Sequence, residues 1–231
     1  MMSSERSDVK DAPAASKPTN TPAAYGYVAI EGLIGAGKTT LAKRLAEQWK
    51  GRTVLEEFED NPFLPKFYED QQRYAFSVEL SFLAQRYHQL KRVGERSLFE
   101  PVTVADYSIG KSLVFASVTL PPDERALFTD LYSIMYGGLP KPDLLVYLHL
   151  PMERVRDRIR SRGRSYEQAI PVDYLERLQQ GYLDHLNKSS GQRALAVDIG
   201  ECDLLKDPSA YARLLALLSE EHTMGLTIVR L

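Results

Sequence analysis

The chain has 231 residues, 44% of them hydrophobic, and a formal charge of −2, so it can bury a sizeable core but offers no basic field to nucleic acid or an anionic membrane. Its one cysteine, Cys202, excludes an internal disulfide and a cysteine-rich zinc site, which fits a reducing, cytoplasmic setting. No apolar run approaches the ~20 residues needed to span a bilayer.

Residues 1–24 mix Ser, Ala, Pro, Thr, Lys and Asp, without the apolar stretch of a secretory signal and with few large apolar side chains. A disordered N-terminal tail is expected there; Glu5, Asp8 and Asp11 make it more acidic than a transit peptide. From Tyr25 onward, apolar runs alternate with helical patterns, so residues 25–231 read as a single α/β domain: a five-stranded parallel sheet with helices on both faces, in three layers. Strands are expected at Tyr25–Glu31, Thr53–Glu56, Ser97–Asp106, Asp143–His149 and Ala194–Asp198, with Gly225–Arg230 able to add an edge. Helices are expected over Lys38–Lys50, Arg73–Glu95, Ser108–Val118, Pro122–Tyr136, Met152–Arg162, Asp173–Lys188 and Ser209–Glu221. Ligands of such sheets sit at the carboxyl ends of the strands, so the residues just past each strand are the ones to inspect for chemistry.

The first strand runs into Gly32-Leu33-Ile34-Gly35-Ala36-Gly37-Lys38-Thr39-Thr40, which fits the phosphate-loop pattern G-x-x-x-x-G-K-[ST] between a strand and a helix. Glycines let backbone N–H groups turn inward around phosphate, and the new helix adds its positive end. Gly32, Gly35, Ala36, Gly37, Lys38, Thr39 and Thr40 are therefore the expected nucleoside-triphosphate loop, with Lys38 on the terminal phosphates and Thr39 on Mg²⁺. Strand two ends in Glu56-Glu57-Phe58-Glu59-Asp60, either a solvated acidic turn or the source of a general base. On the long helix, Glu79 and Arg86 fall on the apolar stripe, where charges are costly unless paired or ligand-bound; they are candidates to read a nucleobase. Strand three ends in Asp106, placed either to hold Mg²⁺ or to cap a helix. Later, Arg158 and Arg162 share a helix face and Gly163 turns the chain to present Arg164, a set suited to clamping phosphate, with Arg156 and Arg160 left to solvent. His88, on the long helix, is expected to be partly buried.

Taken together, these pieces resemble the deoxyribonucleoside kinase family, especially its bacterial deoxyadenosine/deoxyguanosine kinase branch. The resemblance is carried by Gly32–Thr40, the run from Glu56 through Asn61-Pro62-Phe63-Leu64-Pro65-Lys66-Phe67-Tyr68-Glu69-Asp70, Arg73-Tyr74-Ala75-Phe76, Pro140 to Tyr147, and Arg158 to Gln168. It implies transfer of the ATP γ-phosphate to the 5′-hydroxyl of a deoxynucleoside, for nucleotide salvage, by a homodimer packed through Ser108–Val118 and neighbouring helices. By position it makes Glu56 the catalytic base (Glu57 is one residue off), Tyr68 and Glu167 the partners of the sugar 3′-hydroxyl, Arg86 a base-pocket arginine, Thr39 and Asp106 the Mg²⁺ shell, and Arg158, Arg162 and Arg164 the lid. Three positions depart from the family. Tyr107 replaces an arginine, and Lys111, one turn along, is expected to restore its charge. Glu79 replaces a base-reading glutamine; an ionised carboxylate only accepts, which favours guanine, with its adjacent N1–H and N2–H donors, among the purines. Ser112 replaces an acidic partner of Arg86, so Arg86 is expected to turn to Glu79. A thymidylate-type nucleoside monophosphate kinase, or a nucleotide-binding protein without activity on the same fold, are the competing readings; the acidic region from Glu56 to Tyr68 argues against a phosphorylated acceptor.

Overall fold

The computed structural model describes residues 10–11, 23–57, 61–91, 93 and 100–231. In chain order the elements are β1 (Lys10–Asp11), β2 (Tyr27–Gly32), α1 (Lys38–Trp49), β3 (Arg52–Val54), α2 (Leu64–Glu69), α3 (Gln71–Lys91), β4 (Thr103–Ala105), α4 (Lys111–Thr119), α5 (Pro122–Tyr136), β5 (Leu144–His149), α6 (Met152–Arg162), α7 (Val172–Lys188), β6 (Arg193–Asp198), α8 (Pro208–Leu218) and β7 (Gly225–Arg230). All strand pairs are parallel, in the order β1-β7-β6-β5-β2-β4-β3. β2 is buried along its whole length, as expected of a strand covered on both faces. From β2 the chain crosses first to β3 and β4 on one side, then to β5, β6 and β7 on the other. The crevice where the direction reverses lies at the carboxyl end of β2, where the phosphate loop begins.

The sheet has seven strands, not the five expected. β7 pairs with β6 along its full length, from Gly225 opposite Arg193 to Arg230 opposite Asp198, and Lys10–Asp11 adds a last short strand beyond it. The rest of the tail expected at residues 1–24 lies outside the described residues, except 23–24, as do residues 92 and 94–95 of the long helix and 97–99 of the third strand. The helix expected from Ser108 starts three residues later, at Lys111. Ser108 gives both its N–H (2.7 Å) and its hydroxyl (2.9 Å) to Glu31, which holds the chain in a loop after β4. Phe67-Tyr68-Glu69, read as a lead-in to the long helix, belong to a helix of their own, α2, with Pro65 in its first turn. Asp70 breaks the two apart at φ −145° and accepts from the Arg73 N–H at 3.1 Å.

The end of α1 shows how tightly the sheet edge is fitted. Lys50 takes the left-handed conformation (φ 52°), returning its N–H to the carbonyls of Ala46 and Glu47. Gly51 then passes so close to β4 that a Cβ there would lie 2.3 Å from the Val102 carbonyl oxygen. On the α8 side, Asp207 caps the helix by accepting from the N–H groups of Ser209 (2.9 Å) and Ala210 (3.1 Å). Arg44 of α1 lies 3.5 Å from the centre of the Tyr211 ring of α8 and donates to the Leu204 carbonyl at 2.7 Å, tying these two helices together.

Candidate active site

The carboxyl ends of β2, β3 and β4 bring the Thr39 hydroxyl, the Asp106 carboxylate and the Glu56 backbone into one chain of hydrogen bonds. Thr39, just inside α1, donates its hydroxyl to one Asp106 oxygen at 2.5 Å; the other accepts from the Glu56 backbone N–H at 2.7 Å. Asp106 therefore does not cap α4; it joins the phosphate loop to the segment carrying Glu56. Within the loop, Gly35 (φ 81°) and Gly37 (φ 90°) occupy left-handed conformations that favour glycine. Lys38 curls back, donating to the Gly32 and Leu33 carbonyls at 2.9 Å each. Burial, and secondarily the charge of Lys111, lower its ammonium pKa to about 8.

Glu56 sits between two cations. Arg86 donates to Oε1 through Nε (2.9 Å) and Nη2 (2.7 Å), and Lys111 to Oε2 at 2.5 Å. Burial would raise this carboxyl, but the Lys111 ammonium and then the Arg86 guanidinium overcome it and bring the pKa down to about 2. The remaining Arg86 arm, Nη1, donates to the Ser112 hydroxyl at 2.7 Å. The expected Arg86–Glu79 pairing does not form, because Glu56 and Ser112 between them engage all three nitrogens of this guanidinium. Glu57 is exposed, whereas Glu56 is held inside by Arg86 and Lys111. Tyr107 points away: fully buried, it donates to Gln89 Oε1 at 2.7 Å, while Gln89 donates to the Leu55 carbonyl.

A cavity of about 110 Å³ lies against Glu56, lined also by Lys38, Thr39, Arg86, Asp106 and Lys111 and by Tyr68, Arg162, Arg164, Tyr166 and Glu167. Tyr68 stacks on Tyr166 with ring centres 5.8 Å apart. Glu167, in a 3-10 turn over Ser165–Glu167, holds Arg164 at 3.2 Å and Arg162 at 3.7 Å through Oε1, while its buried Oε2 has no partner among the described residues. Glu79 is 2% exposed and its Oε2 likewise has no partner among the described residues. Burial pushes its carboxyl up to about 7, against the lowering pull of Arg86. A second cavity, about 420 Å³, opens on the outer side of the loop beside Gly37, Lys38, Thr40, Arg158 and Asp203. Arg158 donates to the Ala36 carbonyl at 3.0 Å, and α6 lies so close that a Cβ on Gly35 would be 3.3 Å from the Arg158 Cβ. Gly163 (φ 73°) ends α6, while Arg156 and Arg160 are exposed, as expected. Arg154 donates to the carbonyls of Gly200 (2.6 Å) and Cys202 (3.1 Å), fixing the segment that brings Asp203 and Leu205 to this cavity.

Two adjoining cavities with a phosphate loop, a hydroxyl–carboxylate pair and a clamped glutamate between them suit phosphoryl transfer. The family model described as deoxynucleoside kinase matches residues 28–222, nearly all of the described domain. The chain belongs to the deoxynucleoside kinase family. It is 36% identical over 200 residues to the deoxyguanosine kinase of Bacillus subtilis (strain 168), covering 84% of this chain and 96% of that protein. It is 31% identical over 193 residues to the deoxyadenosine/deoxycytidine kinase of the same organism, covering 79% and 87%. A structure of deoxyadenosine kinase from M. mycoides with bound dATP shares the fold, with a TM-score of 0.70 at 23% identity over 83% of this chain and 97% of that one. This kinase transfers phosphate from ATP to a deoxynucleoside; neither competing reading is favoured. No helix among the described residues is long and apolar enough to cross a membrane.

Sequence reasoning missed two groups: Glu31, which acts electrostatically on Lys38 and Lys111, and Tyr166 of the cavity wall. Glu31, buried at the end of β2, accepts from Ser108 and from the Tyr182 hydroxyl at 3.1 Å; burial raises its carboxyl, with Lys111 the largest opposing influence. A lone carboxylate in the run Val28-Ala29-Ile30-Glu31 was the available signal. Tyr166 as the stacking partner of Tyr68 had no such signal. His88, expected to be partly buried, is exposed on α3, with its ring against Tyr87.

Proposed function

We propose that the kinase acts on purine deoxynucleosides, deoxyguanosine ahead of deoxyadenosine, with Glu56 as the base that receives the 5′-hydroxyl proton. The observation that carries this reading is the Glu56 carboxylate, held by Arg86 and Lys111 at the wall shared by the loop and the smaller cavity. A pKa near 2 makes Glu56 a weak base but a permanently ionised one. That suffices for a loose phosphoryl-transfer transition state, in which positioning and charge stabilisation matter most. Tyr68 and Glu167 would hold the sugar 3′-hydroxyl; the Glu167 Oε2, without a partner among the described residues, supports this. Lys38 would leave its own loop carbonyls for the terminal phosphates, with the backbone of Gly32, Gly35, Ala36, Gly37 and Thr40 around them. Arg158, Arg162 and Arg164 would balance the charge in transfer.

Thr39 and Asp106 fit Mg²⁺: they are hard oxygen donors 2.5 Å apart, and no group of three or more His, Cys, Asp or Glu among the described residues makes an all-protein metal cage. Mg²⁺ in kinases is commonly bound by one or two protein oxygens with substrate phosphates and water, and when bound it neutralises phosphate charge. Lys111 takes the place left by the missing arginine at position 107, which the 2.5 Å contact to Glu56 supports. A homodimer would form through α5, since α4 is enclosed by α3, α5 and α7 while Leu127, Leu131 and Ile134 line one face of α5. We also propose a cytoplasmic location.

ATP consumption measured with each of the four deoxynucleosides, and with a deoxynucleoside monophosphate, tests the reading. Turnover should be greatest with deoxyguanosine, then deoxyadenosine, and fall by about 10²–10⁴ in Glu56→Gln. Consumption only with the pyrimidine nucleosides would overturn the substrate assignment, and a fully active Glu56→Gln would overturn the base.

A further inference from the structure

Two carboxylates tie the phosphate-loop side of the site to the chain that follows β4. Asp106 is one, bonded to Thr39 and to the Glu56 backbone. Glu31 is the other, and phosphoryl transfer makes no direct use of it. The ladder between β2 and β4 ends with Ala29 opposite Ala105, and the same register carried on would put Glu31 opposite Tyr107. There the strands part, and the Glu31 side chain takes over from the ladder. Its Oε1 accepts the Ser108 N–H at 2.7 Å and the Ser108 hydroxyl at 2.9 Å, while its Oε2 accepts the Tyr182 hydroxyl of α7 at 3.1 Å. Glu31, Ser108 and Tyr182 are all buried. On its other side β2 is paired with β5, Glu31 opposite Tyr147 and Gly32 opposite Leu148, which gives the carboxylate a fixed base.

Ser108 opens the turn from which α4 grows. Its carbonyl accepts from the Lys111 N–H at 3.2 Å, and the Ile109 carbonyl accepts from the Ser112 N–H at 3.0 Å. Lys111 then meets Glu56 Oε2, while the Ser112 hydroxyl accepts from Arg86, which holds Glu56 Oε1. Both cations on Glu56 are thus referred to Ser108, and Ser108 to Glu31. The residue after Glu31 is Gly32, whose carbonyl accepts from the Lys38 ammonium at 2.9 Å. A single side chain therefore stands between the start of the phosphate loop and the turn that delivers Lys111. Its charge suits the place as well: Lys111 repels Lys38 across the site, and Glu31 is the foremost charge acting the other way on Lys38. We propose that Glu31 is a positioning residue for phosphoryl transfer, fixing through Ser108 the separation between the phosphate loop and the Lys111–Glu56 pair. The inference rests on the reading of Glu56 as the base held by Lys111, and adds the group that aligns that pair with the phosphate donor. A misplacement of about 1 Å between reacting groups costs on the order of 10² in rate, so loosening this tie is felt in turnover more than in binding.

A double-mutant cycle with Lys111 is the test, read as kcat and KM on whichever deoxynucleoside is turned over fastest. Glu31→Gln keeps the size of the side chain but loses its charge and replaces one acceptor oxygen with a donor, so Ser108 and Tyr182 can no longer both donate to it. It should lower kcat about tenfold, with KM for ATP and for the nucleoside changed by less than about twofold. In a Lys111→Ala background the same change should cost less than about twofold, because the pair that Glu31 aligns is already broken. Ser108→Ala, which removes only the hydroxyl bond, should lower kcat about threefold and show the same dependence on Lys111. A general weakening of the fold acts independently of Lys111, and its losses multiply. Losses that multiply therefore overturn the inference, as does wild-type kcat in Glu31→Gln. If Glu31→Gln does not fold, Ser108→Ala decides by the same criteria. A loss in Lys111→Ala with none in Glu31→Gln removes the inference and leaves the reading of Lys111 and Glu56 standing. Wild-type turnover in Lys111→Ala removes that reading of Lys111, and the inference with it.

Discussion

Glu56, Lys111 and Lys38 form a row of charges whose values depend on one another. In the proposed mechanism Lys111 is a positioning residue that acts through Glu56. Lys111→Ala should lower kcat by on the order of 10², with KM for ATP little changed, and Lys111→Arg should recover part of the loss. Steady-state kinetics on both, beside the exposed Arg156→Ala, decide the matter: equal losses in Lys111→Ala and Arg156→Ala would end the idea. Lys38, at about 8 in the free protein because of burial and Lys111, gains phosphate neighbours on ATP binding in the proposed mechanism. Its pKa must then rise, so binding takes up a proton between the free and bound values. The uptake should be about a tenth of a proton at pH 7 and most of one at pH 9, with ATP affinity falling above about pH 8. Calorimetric titrations in two buffers of different ionisation enthalpy measure this directly; zero uptake at pH 9 would mean that Lys38 does not meet the phosphates.

Among the elements, the junction between α1 and β3 bears an especially close backbone approach. Gly51→Ala would force its Cβ into the Val102 carbonyl and push the edge strand away from β4. A loss of about 1–3 kcal/mol is expected, seen as a lower urea midpoint at unchanged m-value. An unchanged midpoint would show that the edge yields freely. The sequence made this junction visible only as a glycine after a helix. It was more informative where chemistry is local: the loop glycines with Lys38 and Thr39, and the spacing of Arg158, Arg162 and Gly163, could be read directly because a turn or one helix face fixes those geometries. Contacts between distant positions could not be read. Arg86 and Glu79 share a helix stripe, which suggested a pair, yet Glu56, thirty positions away, reaches the guanidinium first. Likewise Tyr182 meets Glu31 from 151 positions away, and no periodicity within either element encodes that contact. The start of α4 was misjudged for the same reason: Ser108 looks like a helix residue until Glu31 arrives to claim it.

At the scale of the whole molecule, both cavities open at the carboxyl end of the sheet, and the arginine-bearing arm after β5 is the part that reaches over them. Away from that end, the outer surface carries a different feature. Leu127 (53% exposed) and Ile134 (79% exposed) stand seven residues apart on α5, with half-buried Leu131 between them. Ile134→Glu should convert the proposed dimer to a monomer in light scattering with the fold intact, because a charge on each copy would be buried against its counterpart. A wild-type protein that is already monomeric at assay concentration would remove the dimer. Finally, the missing Cβ of Gly35 and the Cβ of Arg158 bind loop and lid together in a way that matters to anyone altering this enzyme. A bulkier residue at 35 would displace the helix that delivers Arg158, and a shift of that helix would reopen space at 35. Because every residue but glycine carries a Cβ, no other substitution at 158 would relieve that contact, and Val155 and Ile159 stand as close, so a change at 35 is felt by α6 as a whole.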